Sequence, residues 1–387
     1  MAKNFFDKIR PTFSEGGKLS WLHSSFDAFE TFFFVPNRVT KKGGVHVKDC
    51  VDLKRILIIV VLSLVPALLF GIWNLGEQHS IVFGLGWGFW EKVWYGFVKI
   101  IPLYLVSYIV GLGIEFADAQ IKGEEVNEGY LVTGFLIPLI VPVDVPLWML
   151  ALAVAFAVIF GKCVFGGTGM NIWNPALLAR AFLFFSYPSK MSGSEVWVHL
   201  PKGQVAVDAF TGATPLALTD EAGRHTVEAL NAAGWDWWSL FNGLVPGSVG
   251  ETSVIAILLG AVILVWTGVA SWKIMVSAVA GGLLIGWLGQ LTGATDLPCW
   301  YQLLLGGFAF GTVFMATDPV TSAQTEKGKW IYGFLVGALA VTVRFWNPGY
   351  AEGMMLAILL MNTFAPLIDH CVVSAATRRR NGKTQTA

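Results

Sequence analysis

Apolar runs long enough to cross a lipid bilayer recur along most of this 387-residue chain, from RILIIVVLSLVPALLFGIW near the start to MMLAILLMNTFAPLI near the end. A spanning helix needs about 20 mostly apolar residues. Lipid offers no partner to a backbone N–H or C=O, so each crossing segment must satisfy its own hydrogen bonds, as a helix does. Composition agrees: 55% of residues are hydrophobic and only 13% charged, about half the charge of an ordinary soluble domain. The chain is therefore expected to be an all-α polytopic membrane protein.

Ten spans are expected, at 55–76, 93–115, 130–143, 147–165, 174–187, 254–271, 275–291, 303–314, 330–345 and 354–372. Their orientation follows from lysine and arginine, which favour the cytoplasmic side. Lys41, Lys42, Lys48, Lys54 and Arg55 precede the first span, and Arg378, Arg379, Arg380 and Lys383 follow the last. Both termini are thus expected in the cytoplasm. Lys122, Lys162, Lys273, Lys327 and Lys329 then fall in inner loops, and 73–90, 142–146 and 292–299 in outer ones. The start has no apolar core before a small-residue cleavage site, so no removable signal peptide is expected. The aromatic stretch FDAFETFFFVPNRV fits the membrane interface.

An internal repeat sharpens the plan. IWNPALLARAFLFF resembles FWNPGYAEGMMLAI, with Trp173 and Trp346 173 residues apart, and YIVGLGIEFADA weakly matches LLIGWLGQLTGA at an offset of 175. Two halves of five helices must be inverted relative to each other, an architecture of transporters. The expected division is an N-terminal cytoplasmic or interfacial segment 1–54, a first half 55–188, an outer loop 189–252, a second half 253–373 and a basic tail 374–387. The alignment places Glu115 opposite Gln290, as a single ion-handling site would.

Polar residues near the spans carry the functional signal, because they are expensive there. Glu115, Asp318 and Asp369 offer hard oxygens of the type that suits sodium or protons. Glu124, Glu125 and Glu128 sit at an inner boundary, where capping explains the first two. In FGGTGMNIWNPA, Asn171 and Asn174 present amide groups at a broken-helix junction, beside Gly166, Gly167 and Gly169. They suit either a tight helix cap or the edge of a bound heterocycle. The cysteines (Cys50, Cys163, Cys299, Cys371) form no CxxC pair, so no zinc or cysteine-ligated iron–sulfur site is spelled. Zero net charge argues against a nucleic-acid partner.

The tetrapeptide TGAT occurs twice, at 211–214 and 292–295. In the first copy Thr214 precedes Pro215, which suggests a helix start with free amides facing outward. Asp208 stands three residues before Thr211, Gly212 and Ala213 keep the approach clear, and the Thr214 hydroxyl is open to esterification. In the second copy Gly289 replaces the acid and Asp296 the proline. Caps of this kind are common, and local physics alone favours an ordinary helix cap over a cofactor site for the first copy.

DAFTGAT resembles a flavinylation motif, Asp-x-x-Ser/Thr-Gly-Ala-Thr. Together with KGEEVNEG, VFGGTGMNIWNPALLARAFLFF, SGSEVWV, FMATDPV, NPGYAEGMMLAILLMN and FAPLIDH, it makes the chain similar to the NqrB/RnfD family over about 45–373. The wording of these motifs and the long N-terminal segment point to the branch found in sodium-translocating NADH:quinone reductases, rather than to the RnfD branch of ferredoxin:NAD oxidoreductases. The resemblance implies FMN held by a phosphoester on Thr214 through an outside flavin transferase, and riboflavin bound by Asn171 and Asn174. It implies a ubiquinone site at Gly111 and Leu112, where the family often has a second glycine, near Glu115. It further implies a sodium path through Glu115, Asp318 and Asp369, gated by Phe310 and Phe314. The implied sequence is one-electron relay from NADH through partner subunits (A, C, D, E and F) to FMN, riboflavin and quinone. The setting implied is the bacterial cytoplasmic (inner) membrane. The stretch from Met191 to Asp208 is longer than the family leads one to expect. An inverted five-plus-five plan is also urea-transporter-like, so a non-redox channel is the remaining contrast.

Overall fold

The structure is a computed structural model that describes residues 2–13, 26, 53–123, 129–191, 197–198, 214–218, 226–346 and 352–384. Asp208, Thr211, Gly212 and Ala213 lie outside the described residues, as do Glu124, Glu125 and Glu128. The described chain is helical, with α1 at Ala2–Phe13, α2 at Leu53–Phe83, α3 at Phe89–Lys122, α4 at Tyr130–Ile140, α5 at Leu147–Gly161 and α6 at Pro175–Ser186. The second half adds α7 at Val254–Trp266, α8 at Trp272–Leu291, α9 at Glu326–Trp346 and α10 at Met354–Thr384. Among the described residues, five helices are long and apolar enough to cross a membrane: α2, α3, α5 with the turn that follows it, α8, and α10 to Arg380. Three more, α4, α6 and α7, are apolar but shorter.

Small residues bring the helices together. A β-carbon on Gly281 of α8 would strike the Phe334 carbonyl, and one on Gly337 of α9 would strike Ala278. Backbones can touch only where such side chains are missing, which is how helices pack without a hydrophobic drive between them. The core then fills with side chains such as Leu64, Ile137, Leu150, Phe308, Phe310 and Tyr332, all essentially buried.

Several boundaries differ from the sequence expectations, and three of the differences change the local structure. Helix α2 runs on to Phe83, taking in eleven residues of the expected outer loop, and Lys92 of α3 pairs there with Glu77. The expected span at 303–314 is broken: a turn at Tyr301–Leu304, an interruption at 305–307, a single turn at Phe308–Phe310 and a π-helical turn at Gly311–Met315. Gly306 causes the interruption, since its φ of +58° cannot continue a right-handed helix. Third, Thr214 does not start a helix. It opens a single turn closed by the Ala217 amide on the Thr214 carbonyl at 2.9 Å.

Candidate functional site

One cavity of about 140 Å³ collects several residues that the sequence singles out. Asn171, Asn174, Lys162, Phe314, Thr317 and Asp318 all line it. The local sequence explains how they arrive. Lys162 sits at the joint between α5 and the Cys163–Phe165 turn. Gly166, Gly167 and Gly169, all with positive φ, then fold the chain back toward Asn171. Asn174 starts α6 with Pro175 at its first position, and its Oδ1 accepts from the amides of Ala176 (3.0 Å) and Leu177 (3.4 Å).

Both asparagines are half used. Asn174 spends its oxygen on the cap and leaves Nδ2 as a donor; Asn171 spends Nδ2 on the Trp173 carbonyl at 3.1 Å and leaves its oxygen as an acceptor. The cap and the heterocycle readings are thus compatible, because a donor and an acceptor remain on the cavity wall. The buried hydroxyl of Thr168, also on that wall, has no hydrogen-bond partner. An orphaned buried polar atom is costly, and a polar ligand would relieve it. These groups fit the imide edge of a flavin, which carries one N–H between two carbonyls.

Glu115 reaches this site indirectly. It is buried on α3 and forms an ion pair with Lys162 through Oε1, while its Oε2 is buried with no hydrogen-bond partner. Asp318 turns back on its own loop, accepting from the Val320 amide at 3.2 Å and the Thr321 hydroxyl at 2.9 Å. Phe314 packs against Gly260 of α7, and its ring lies 4.9 Å from that of Phe310.

Other expected residues lie apart from the cavity. Asp369 accepts from the amides of Gln324 (2.7 Å) and Thr325 (2.9 Å) and from the Thr325 hydroxyl (2.6 Å). It caps the approach to α9, as a carboxylate at a helix N-terminus does. Gly111 lies directly against the Tyr130 ring, which a β-carbon there would strike. The Tyr130 hydroxyl in turn donates to the Ser107 carbonyl at 2.9 Å. Leu112 is half-buried against the same core.

Thr214 stands elsewhere, half-buried, beside a second apolar cluster. Leu216 anchors its turn on Leu230, Leu240, Leu297 and Leu305, and packs over Gly306. The second TGAT copy ends in the same neighbourhood, but Thr295 is almost fully buried and its hydroxyl accepts from the Leu297 amide at 3.2 Å. That hydroxyl is spent on structure.

Sequence reasoning weighs the acids and passes over the buried cations. Arg180 of α6 donates to Glu251 at 2.6 Å and pairs with Glu352; Arg344 of α9 donates to the Leu305 carbonyl at 2.7 Å. Both arginines fall inside expected spans, and the cost of charge in a membrane flags them as it flags the acids.

The fold and the cavity define a class: an all-α, multi-pass membrane protein with charged and amide groups gathered inside its helices. The chain belongs to the NQR2, RnfD, RnfE family, whose model matches residues 40–378. It is 43% identical over 404 aligned residues to the B component of the Na(+)-translocating NADH-quinone reductase of Chromohalobacter salexigens, covering 98% of this chain and 95% of that protein. The protein of the same description from Ectopseudomonas mendocina is 43% identical, with 97% and 98% covered. That from Pseudomonas aeruginosa is 41% identical, with 98% of each covered.

Proposed function

We propose that this chain is the flavin-carrying membrane component of a sodium-pumping NADH:quinone oxidoreductase, its NqrB subunit, relaying electrons toward ubiquinone and coupling them to sodium movement. The carrying observation is the near-full-length likeness to proteins of that description, which favours this branch over a ferredoxin:NAD oxidoreductase subunit. Flavins and quinone supply the one-electron chemistry; the chain positions them and shapes the charge around them.

Thr214 holds FMN as a phosphoester, placed by a flavin transferase on the outer face. Its turn is anchored by Leu216 in the apolar cluster with Thr214 half-buried, whereas Thr295 is almost fully buried and its hydroxyl accepts from the Leu297 amide. Asp208, Thr211, Gly212 and Ala213 form the rest of that motif. Asn171 and Asn174 hold riboflavin by the donor and acceptor they leave free. Ubiquinone is reduced near Gly111, Leu112 and Glu115. Glu115, Asp318 and Asp369 conduct sodium, with Phe310 and Phe314 as the gate. The other subunits of the complex (A, C, D, E and F) supply the NADH site and the remaining carriers.

The same reading places ten crossings in two inverted halves, 55–188 and 253–373, within the bacterial inner membrane and with both termini cytoplasmic. The segments 1–54 and 374–387 are cytoplasmic, and 189–252 is outside. Packing supports it: α3 lies on α5 as α8 lies on α9, and α5 on α6 as α9 on α10. Leu216 and Leu297, from two expected outer loops, meet in one cluster.

Denaturing electrophoresis under ultraviolet light tests the proposal. A fluorescent band from the wild type that vanishes in Thr214→Ala and persists in Thr295→Ala is expected. A colourless wild-type band from membranes that contain the flavin transferase overturns it.

A further inference from the structure

We propose that Lys162 is an internal cation for redox coupling: a tethered ammonium that neutralises Glu115 until the flavin beside it gains an electron, then turns into the cavity and yields Glu115 to a sodium ion. This rests on the riboflavin assignment above and adds a residue and a charge movement to it.

Three observations carry the inference. First, Lys162 faces two ways. It pairs with Glu115 of α3, and it also lines the cavity walled by Asn171 and Asn174. It sits on a joint rather than in a helix, with φ −133° and ψ −61°. Its flexible four-carbon stem needs only rotamer changes to exchange partners. Second, the ion pair is incomplete. Only Oε1 of Glu115 meets the ammonium, and Oε2 is buried with no hydrogen-bond partner. A buried carboxylate with one oxygen unserved is a poor resting place for charge and a good one for a small hard cation. Third, the surroundings supply a further oxygen. A β-carbon built on Gly129 would lie 2.7 Å from the Thr168 hydroxyl and 3.1 Å from the Lys162 ammonium, so glycine keeps that junction open. The Thr168 hydroxyl is itself unpartnered.

The other charges nearby are committed. Lys122 donates to Asp118 at 2.8 Å and to the Cys163 carbonyl at 3.2 Å. Asp318, across the cavity, accepts from its own loop. Lys162 is therefore the mobile positive charge among the described groups at this junction. The balance closes on one electron and one sodium ion. The electron comes from the covalent flavin; Lys162 offsets the negative charge it adds; sodium replaces Lys162 on Glu115. No proton or bond changes hands.

The test uses the purified complex with Lys162→Met, Lys162→Arg and Glu115→Gln. It reads extractable riboflavin, the one-electron midpoint potential of the non-covalent flavin, and the sodium concentration giving half-maximal quinone reduction. Lys162→Met is expected to lower the potential and to lower the half-maximal sodium concentration about tenfold, because no ammonium competes for Glu115. Lys162→Arg should hold the potential near wild type and raise the sodium requirement, since a guanidinium engages both carboxylate oxygens. Glu115→Gln should raise the potential and abolish sodium stimulation. Riboflavin present at wild-type content, with potential and sodium requirement unmoved in Lys162→Met, overturns the inference. If Lys162→Met loses its flavin, an unmoved potential in Glu115→Gln overturns it instead. A wild-type complex without extractable riboflavin overturns the cofactor assignment, and the inference with it.

Discussion

Removing Arg180 should unlock the protein at the end where Thr214 lies. The guanidinium joins three segments: α6, which carries it, Glu251 just before α7, and Glu352 just before α10. The Glu251 second oxygen is held by the Ser248 hydroxyl at 2.6 Å, so the network is well satisfied as it stands. Arg180 and Glu251 are both buried. Arg180→Met keeps an unbranched apolar stem, but it strands the buried Glu251 carboxylate without its cation, while Glu352 is partly exposed and keeps the nearby charge of Arg344. Breaking a buried pair by deleting one partner costs about 3–5 kcal/mol. In a chain of this size each kcal/mol moves the melting temperature by roughly 1.2 °C, so a fall of about 4–6 °C follows. The assay is a thermal scan of the detergent-purified protein at one fixed rate, since membrane proteins often unfold irreversibly. Arg180→Met/Glu251→Gln should recover at least half the loss, because the double variant buries one fewer unpaired charge. A single variant melting within about 1 °C of wild type would refute the account, as would a double variant no better than the single.

Two smaller changes separate ligand contacts from scaffold. Thr168→Val removes a buried hydroxyl that has no partner, so the melting temperature of flavin-free protein should hold or rise slightly, while riboflavin retention through purification falls. Asp369→Ala removes the acceptor of three hydrogen bonds ahead of α9 and should lower the melting temperature by about 1–2.5 °C, at about 1–2 kcal/mol for a lost cap. Asp369→Asn, which keeps an acceptor oxygen, should stay within about 1 °C.

The helical class is legible in the sequence because long apolar runs leave a chain little choice. The Asn174–Pro175 cap is legible too, since Asn followed by Pro spells a helix start locally, and that is what forms. The same rule misplaces Thr214. Its Thr-Pro pair has Leu216 pulled into an apolar cluster, and one turn suffices to deliver it there. The break at Gly306 is hidden because glycine is common in membrane helices, and only the positive φ distinguishes this one. Partners distant in sequence are beyond local reading. Lys162 reads as a loop cation that sets orientation, yet its partner is Glu115, 47 residues earlier. At Gly111 the family resemblance implies a ligand site, and the Tyr130 ring against it gives its small size a packing reason.

The broken helix at 301–315 is where these features meet. Gly306 and Gly307 lie against Leu216 and Glu251 at one end, so the Thr214 turn and the Arg180 network both press on its start. Phe314, Thr317 and Asp318 reach the cavity at its other end, on the order of 10 Å further along a helical path. A regular helix there would leave little to choose between two arrangements. A glycine hinge, a single helical turn that carries Phe310 and a π turn that carries Phe314 make a place where two packings can differ by little. Ion pumping needs such an element, because a redox change moves an equilibrium only if it favours one arrangement over the other. The proposed gate therefore requires both ends: Leu216 sets the hinge from the Thr214 side, and Lys162 with Asp318 sets the charge on the cavity side.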